Sequence, residues 1–161
     1  MKKLLSAIIL LCALGACSDS DDDTKDTTYP EITDAGIEAS PLNCLLYQRG
    51  KVIPFKYVFM DNKELGSFNI EIHNNFDHHS HSTSAEECQF GEKKKPVNPW
   101  VFNQDYTIPE NQRTYTASFD IPIPDDIDLG DYHFMIRLTD KAGCQQIKSV
   151  SIKSDTLQTN H

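Results

Sequence analysis

Runs of alternating apolar and polar residues, turn-forming residues between them and one Asp-x-Gly-x-Tyr motif together predict an all-β chain. The expected fold is an Ig-like or fibronectin-type antiparallel β-sandwich of about seven strands. The alternation has period two, the signature of half-buried strands rather than helices. Ile53, Phe55, Tyr57 and Phe59 alternate with Pro54, Lys56 and Val58. Phe68, Ile70 and Ile72 alternate with Asn69, Glu71 and His73. Tyr115, Ala117, Phe119 and Ile121 alternate with Thr116, Ser118 and Asp120, and Phe134, Ile136 and Leu138 with His133, Met135 and Arg137. These runs predict strands over 41–47, 51–60, 67–73, 113–123, 131–139 and, with a weaker pattern, 146–153.

The turns come next. Gln48-Arg49-Gly50 is expected to close a hairpin between the first two runs. Asp61-Asn62-Lys63 and Asp140-Lys141-Ala142-Gly143 mark two further turns, because Asp, Asn and Gly tolerate the backbone that turns need. Asp128-Leu129-Gly130-Asp131-Tyr132 has the form of the tyrosine corner of Ig-like sandwiches, with Tyr132 opening the predicted strand 131–139. The connection from Asn74 to about Gln112 is long for a compact domain, and such loops are usually functional or disordered.

The N-terminus reads as a targeting segment. Met1-Lys2-Lys3 precedes an apolar run from Leu4 to Leu14, shorter than the roughly 20 residues that span a bilayer. Residues 1–16 are therefore expected to be a secretory signal. Leu14-Gly15-Ala16-Cys17 resembles the lipobox of bacterial lipoproteins, which implies cleavage before Cys17 and acylation of that cysteine. Two or more acyl chains hold a protein stably at a membrane. Ser18-Asp19-Ser20-Asp21-Asp22-Asp23 looks like the surface-export signal of Bacteroidota lipoproteins, which implies an outer-membrane, cell-surface location. Residues 17–30 read as an acidic flexible tether, 31–155 as the sandwich domain and 156–161 as a disordered tail.

Cleavage removes Lys2 and Lys3 and takes the formal net charge from −9 to −11. That balance argues against nucleic acid, whose phosphates need clustered Lys and Arg; Lys93-Lys94-Lys95 is the only basic run and reads as a solvated loop. No carboxylate pair, Ser/His/Asp set or phosphate loop is apparent, so the chain is not expected to be an enzyme. A metalloenzyme of the copper–zinc dismutase kind ranks last.

His73-Asn74-Asn75-Phe76-Asp77-His78-His79-Ser80-His81 places four of the six histidines within nine residues. Imidazole is the commonest protein ligand for zinc and copper. His73 ends one predicted strand and His133 begins another, and in an Ig-like sandwich these are antiparallel neighbours. Both rings should sit on the outer face, with Cβ atoms roughly 4.5–5.5 Å apart. The candidate zinc or copper ligands are thus His73, His78, His81 and His133, with His79, Asp77 and Cys88 as further possibilities. Asp61, Glu64 and Asp140, in turns at the other end, offer oxygen ligands of the kind calcium takes, although turn carboxylates are usually just solvated.

Cys12 leaves with the signal and Cys17 carries lipid, so Cys44, Cys88 and Cys144 remain. An odd number leaves one over in an oxidising compartment. If the first and last strands start side by side, Cys44 pairs with Cys144 and Cys88 is left free or available to metal; Cys44–Cys88 and Cys88–Cys144 are the rival pairings.

The stretch Asp61–His81 with its histidine core, and the segment Gly130–Asp140, resemble a family of Bacteroidota lipoproteins classed as a domain of unknown function. The resemblance covers roughly residues 30–153 and implies an Ig-like fold and a lipoprotein anchor. Family members often carry Ala-Gly-Asn where this chain has Ala142-Gly143-Cys144, so Cys144 is a departure.

Two functions compete. The first is a surface lipoprotein that captures or buffers zinc or copper, with an outer-membrane transporter as a possible partner. The second is an adhesion or glycan-binding module in which Trp100, Phe102 and Tyr106 form a stacking platform. The anchor is open to direct test. Cys17→Ala should release the protein or leave an uncleaved precursor, read by membrane fractionation and intact mass; a processed variant still in the membrane fraction would overturn the lipobox reading.

Overall fold

A computed structural model describes residues 26–80 and 88–156. Every regular element in them is a strand: β1 (Glu31–Thr33), β2 (Leu45–Gln48), β3 (Val52–Met60), β4 (Leu65–Asn74), β5 (Phe102–Thr107), β6 (Thr114–Pro122), β7 (Gly130–Asp140) and β8 (Gln145–Asp155). They form a three-stranded sheet in the order β1-β3-β6 and a five-stranded sheet in the order β2-β8-β7-β4-β5. Neighbours run antiparallel except β2 and β8, which are parallel. The two sheets make an open, Ig-like β-sandwich.

The core follows from the alternation. Ile53, Phe55, Tyr57 and Phe59 of β3 and Phe68, Ile70 and Ile72 of β4 are buried, as are Phe134, Ile136 and Leu138 of β7. Phe55 joins the sheets: its ring lies 5.0 Å from Phe119 on its own side, and 6.2 and 5.9 Å from Phe68 and Phe134 on the other. Fully burying one such side chain stabilises the fold by roughly 1.5–3 kcal/mol. The tyrosine corner is present. The Tyr132 hydroxyl donates to the Asp128 carbonyl at 2.6 Å and accepts the Trp100 amide at 3.3 Å. Trp100 itself is buried, and Tyr106 stacks between Phe68 and Phe119 at 4.8 Å from each.

The expected first hairpin does not form. β2 leaves β3 and joins the opposite sheet, with Leu45 paired to Ile152. β6 pairs with β3 along its whole length, and the other edge of β3 pairs with β1 over Val58–Met60 and with Ser40 at Lys56. The second half of β8, by contrast, offers an open edge. Gln48–Gly50 is therefore a crossover between sheets. Gly50 adopts φ 69° there, and a Cβ on it would meet Asp125 Oδ1 at 2.0 Å, so another residue would be strained and would displace the Asp125 side chain.

The same crossover corrects the disulfide. Cys44 pairs with Cys88, not Cys144, at a Cα–Cα distance of 5.3 Å. Its amide donates to Ser151, deep into β8, whereas Cys144 precedes that strand by one residue. Seven residues of extended chain separate the two by about 23 Å, far beyond disulfide reach. The parallel register of β2 thus removes the pairing that adjacent strand starts had predicted. β1 and β5 are also additions. β1 spans only three residues, and β5 is a mostly exposed edge strand whose polar residues Asn103 and Asp105 bind the Asn69 side chain.

Two outcomes test this core. Burial pushes the hydroxyls of Tyr57 and Tyr132 up from 10.0 to about 12. Below pH 10 both are protonated whether the chain is folded or not; between 10 and about 12 the unfolded chain ionises first, so stability falls across that window. Urea titrations at stepped pH should show this fall, diminished in the Tyr132→Phe variant. Reduction of the disulfide, which closes a separation of 44 residues, should lower stability by up to about 4 kcal/mol on the chain-entropy account. Non-reducing peptide mapping should return the Cys44–Cys88 crosslink.

Candidate metal centre

The β4–β7 ladder pairs His73 directly with His133, the register that the alternation predicted. Tyr132 and Phe134 point into the core, so His133 between them points to the outer face. It is nevertheless only 4 % exposed, because the chain after β4 folds back over it and the His79 carbonyl lies 3.1 Å from its Nε2.

That return brings a third imidazole. Ring centroids are 5.4 Å apart for His73 and His133, 4.9 Å for His79 and His133, and 5.6 Å for His73 and His79. Zinc–nitrogen bonds of 2.0–2.1 Å at tetrahedral angles would place the rings of three histidine ligands about 5 Å apart; the rings stand at that spacing, but no choice of one nitrogen from each brings all three within 4.8 Å, so the rings must turn to share an ion. Two of the rings also have a carboxylate beside one nitrogen. His73 Nδ1 lies 3.0 Å from Glu71 Oε1, and His79 Nδ1 lies 2.5 Å from Asp77 Oδ1. On His79 this is a hydrogen bond, and a carboxylate on Nδ1 leaves Nε2 for a metal, the arrangement common around protein-bound zinc; the His73–Glu71 contact lacks hydrogen-bond geometry. The His79 ring holds the Asp77 carboxyl below the usual carboxylate range, so it is ionised at neutral pH.

The proposed ligand set is rearranged by this geometry. His78 does not join His73 and His133. It adopts φ 60°, which sends its side chain away from that of His79. Its ring stacks on Phe90 at 4.8 Å and its Nε2 lies 3.8 Å from Asp131 Oδ2. His79 takes the place expected of His78. Asp77 acts on His79 rather than as a ligand of its own, and Cys88 is held in the disulfide. His81, Cys17 and the signal segment lie outside the described residues. The sequence did carry a sign of His79: an Asp side chain at a turn reaches the residue two positions on, and Asp77 Oδ1 accepts the His79 amide and lies against its ring.

The connection is fixed at several points. The Asn75 amide donates to the Asp131 carbonyl, and Phe76 is buried against Tyr132. The Gly91 amide donates to Asp131 Oδ2 at 2.7 Å, and the Lys94 ammonium sits 4.3 Å above the Phe76 ring. The Cys44–Cys88 bond ties the far side to β2.

A family profile described as a domain of unknown function, DUF4625, matches residues 15–154. The chain belongs to this family. No curated protein matches it. The DUF4625 match takes in both strands of the His73–His133 pair, the histidine-bearing connection and the disulfide, and it begins two residues before Cys17.

Proposed function

We propose that this DUF4625 protein is a lipid-anchored surface lipoprotein that holds zinc or copper at His73, His79 and His133, and that it captures or buffers that ion. The reading rests on one observation: three imidazoles from three places in the sequence meet with centroids 4.9–5.6 Å apart. Support comes from the Asp77 carboxylate on His79 Nδ1, a second partner of the kind that metal-bound imidazoles keep. Nitrogen donors of this kind favour zinc, copper and nickel over magnesium or calcium. His81 remains a candidate fourth ligand, and an outer-membrane transporter the candidate recipient. The glycan-platform alternative has less to stand on, since Trp100 is buried and Tyr106 is stacked in the core.

Elemental analysis of the full chain, purified in detergent without an affinity tag, should find zinc or copper. In calorimetric titration His73→Ala, His79→Ala and His133→Ala should each weaken binding by at least roughly tenfold, since each removes a metal ligand. His78→Ala should leave it unchanged. Wild-type affinity in both the His73 and His133 variants, each folded by circular dichroism, would overturn the site.

A further inference from the structure

The opposite end of the β4–β7 ladder, seven residues along β7 or about 23 Å from His133, carries a different cluster. Ligand oxygens of Asp26, Asp61 and Asp140 all lie within 4.8 Å of one another. They come from three segments: the chain before β1, the β3–β4 turn and the end of β7. Glu64, the third carboxylate expected here from sequence, is drawn aside instead. Its Oε1 accepts the Asn111 amide at 2.9 Å and lies 3.9 Å from the Lys141 ammonium. Asp26 takes its place.

One oxygen of each carboxylate is committed to its own surroundings. Asp61 Oδ2 accepts the Lys63 and Glu64 amides, both at 2.7 Å. Asp140 Oδ1 accepts the Cys144 amide at 2.8 Å, and Asp26 Oδ1 accepts the Thr28 amide at 3.0 Å and the Asn62 side chain at 3.1 Å. The other oxygens of Asp61 and Asp140 are buried and accept no hydrogen bond among the described residues. Asp140 is only 4 % exposed. A buried carboxylate oxygen without a donor is costly and demands an explanation, and three carboxylates this close repel one another. The Thr28 amide, opposed by burial and helped by Asn62 and the Lys63 ammonium, holds Asp26 below the usual carboxylate range. A divalent cation would satisfy the orphaned oxygens and remove the repulsion together.

We propose that Asp26, Asp61 and Asp140 form a second ion site that takes a hard divalent cation of the calcium type. All three side chains offer oxygen, the ligand such cations prefer. The ion would also clamp the chain before β1 to the two turns at this end. Asp26 stands nine residues after Cys17; on the lipid-anchor reading proposed above, that segment links the domain to the membrane.

The test uses the full chain in detergent, stripped with EGTA and titrated with calcium chloride by calorimetry and thermal melting. Calcium should bind with a dissociation constant between about 0.1 and 1 mM, as in extracellular modules, and raise the melting temperature. Asp61→Asn and Asp140→Asn keep an acceptor oxygen for the turn amides. Each should weaken calcium binding at least roughly tenfold while leaving the calcium-free protein as stable as wild type or more so, because a repelling charge is gone. Asp26→Asn, outside the sheets, provides the same test should Asp140→Asn fail to fold. His73→Ala should leave calcium binding intact, which separates this site from the histidine centre. The proposal is overturned by no calcium response up to about 10 mM, or by a response that the Asn variants retain. It is equally overturned by zinc or cadmium binding that Cys144→Ser abolishes where calcium does not bind, since the Cys144 thiol lies 3.7 Å from the Asp26 carbonyl.

Discussion

The β4–β7 register is the constraint on which the rest depends. It runs from Leu65 opposite Asp140 to Asn74 opposite Tyr132, with one irregularity between Leu65 and Ser67. Side chains alternate faces along a strand, so a slip of one residue would send Phe134, Ile136 and Leu138 to solvent and turn His133 into the core. The apolar faces thus lock the register, and the register then decides which polar groups meet. His73 meets His133 at one end; Asp140 reaches the β3–β4 turn at the other.

The sandwich therefore has two chemically distinct poles. One gathers imidazole nitrogens on the outer face of the five-stranded sheet, with a carboxylate beside each of two rings. The other gathers carboxylate oxygens, two of them buried without donors among the described residues. Nitrogen donors suit borderline ions and oxygen donors suit hard ones. The β4–β7 ladder sets the two donor sets about 23 Å apart.

The connection between β4 and β5 completes the nitrogen pole. A single ladder supplies only two adjacent imidazoles, and without a cover His133 would be exposed on the sheet surface. Phe76 in the core, Asn75 on the Asp131 carbonyl and the disulfide to β2 hold the return in place. His78 and His79 then part: one faces Asp131 and Phe90, the other His133.

The sequence by itself determined the all-β class, the five strands β3, β4, β6, β7 and β8, the tyrosine corner and the pairing of His73 with His133. Each rests on local chemistry: period-two alternation, turn residues, or a motif whose partner lies four residues away, as Asp128 does from Tyr132. The weaker pattern of β8 has a cause, since β2 pairs only with its last residues and its first three are exposed. Only the tertiary structure decided the partner of β2, the disulfide, the choice of His79 over His78 and the arrival of Asp26 beside Asp61 and Asp140. Those depend on which hydrogen-bonding edges stay open once β6, β1 and Ser40 have paired with β3. They depend also on a left-handed backbone at His78 and on where the chain before β1 comes to rest. No spacing of residues along the chain records them.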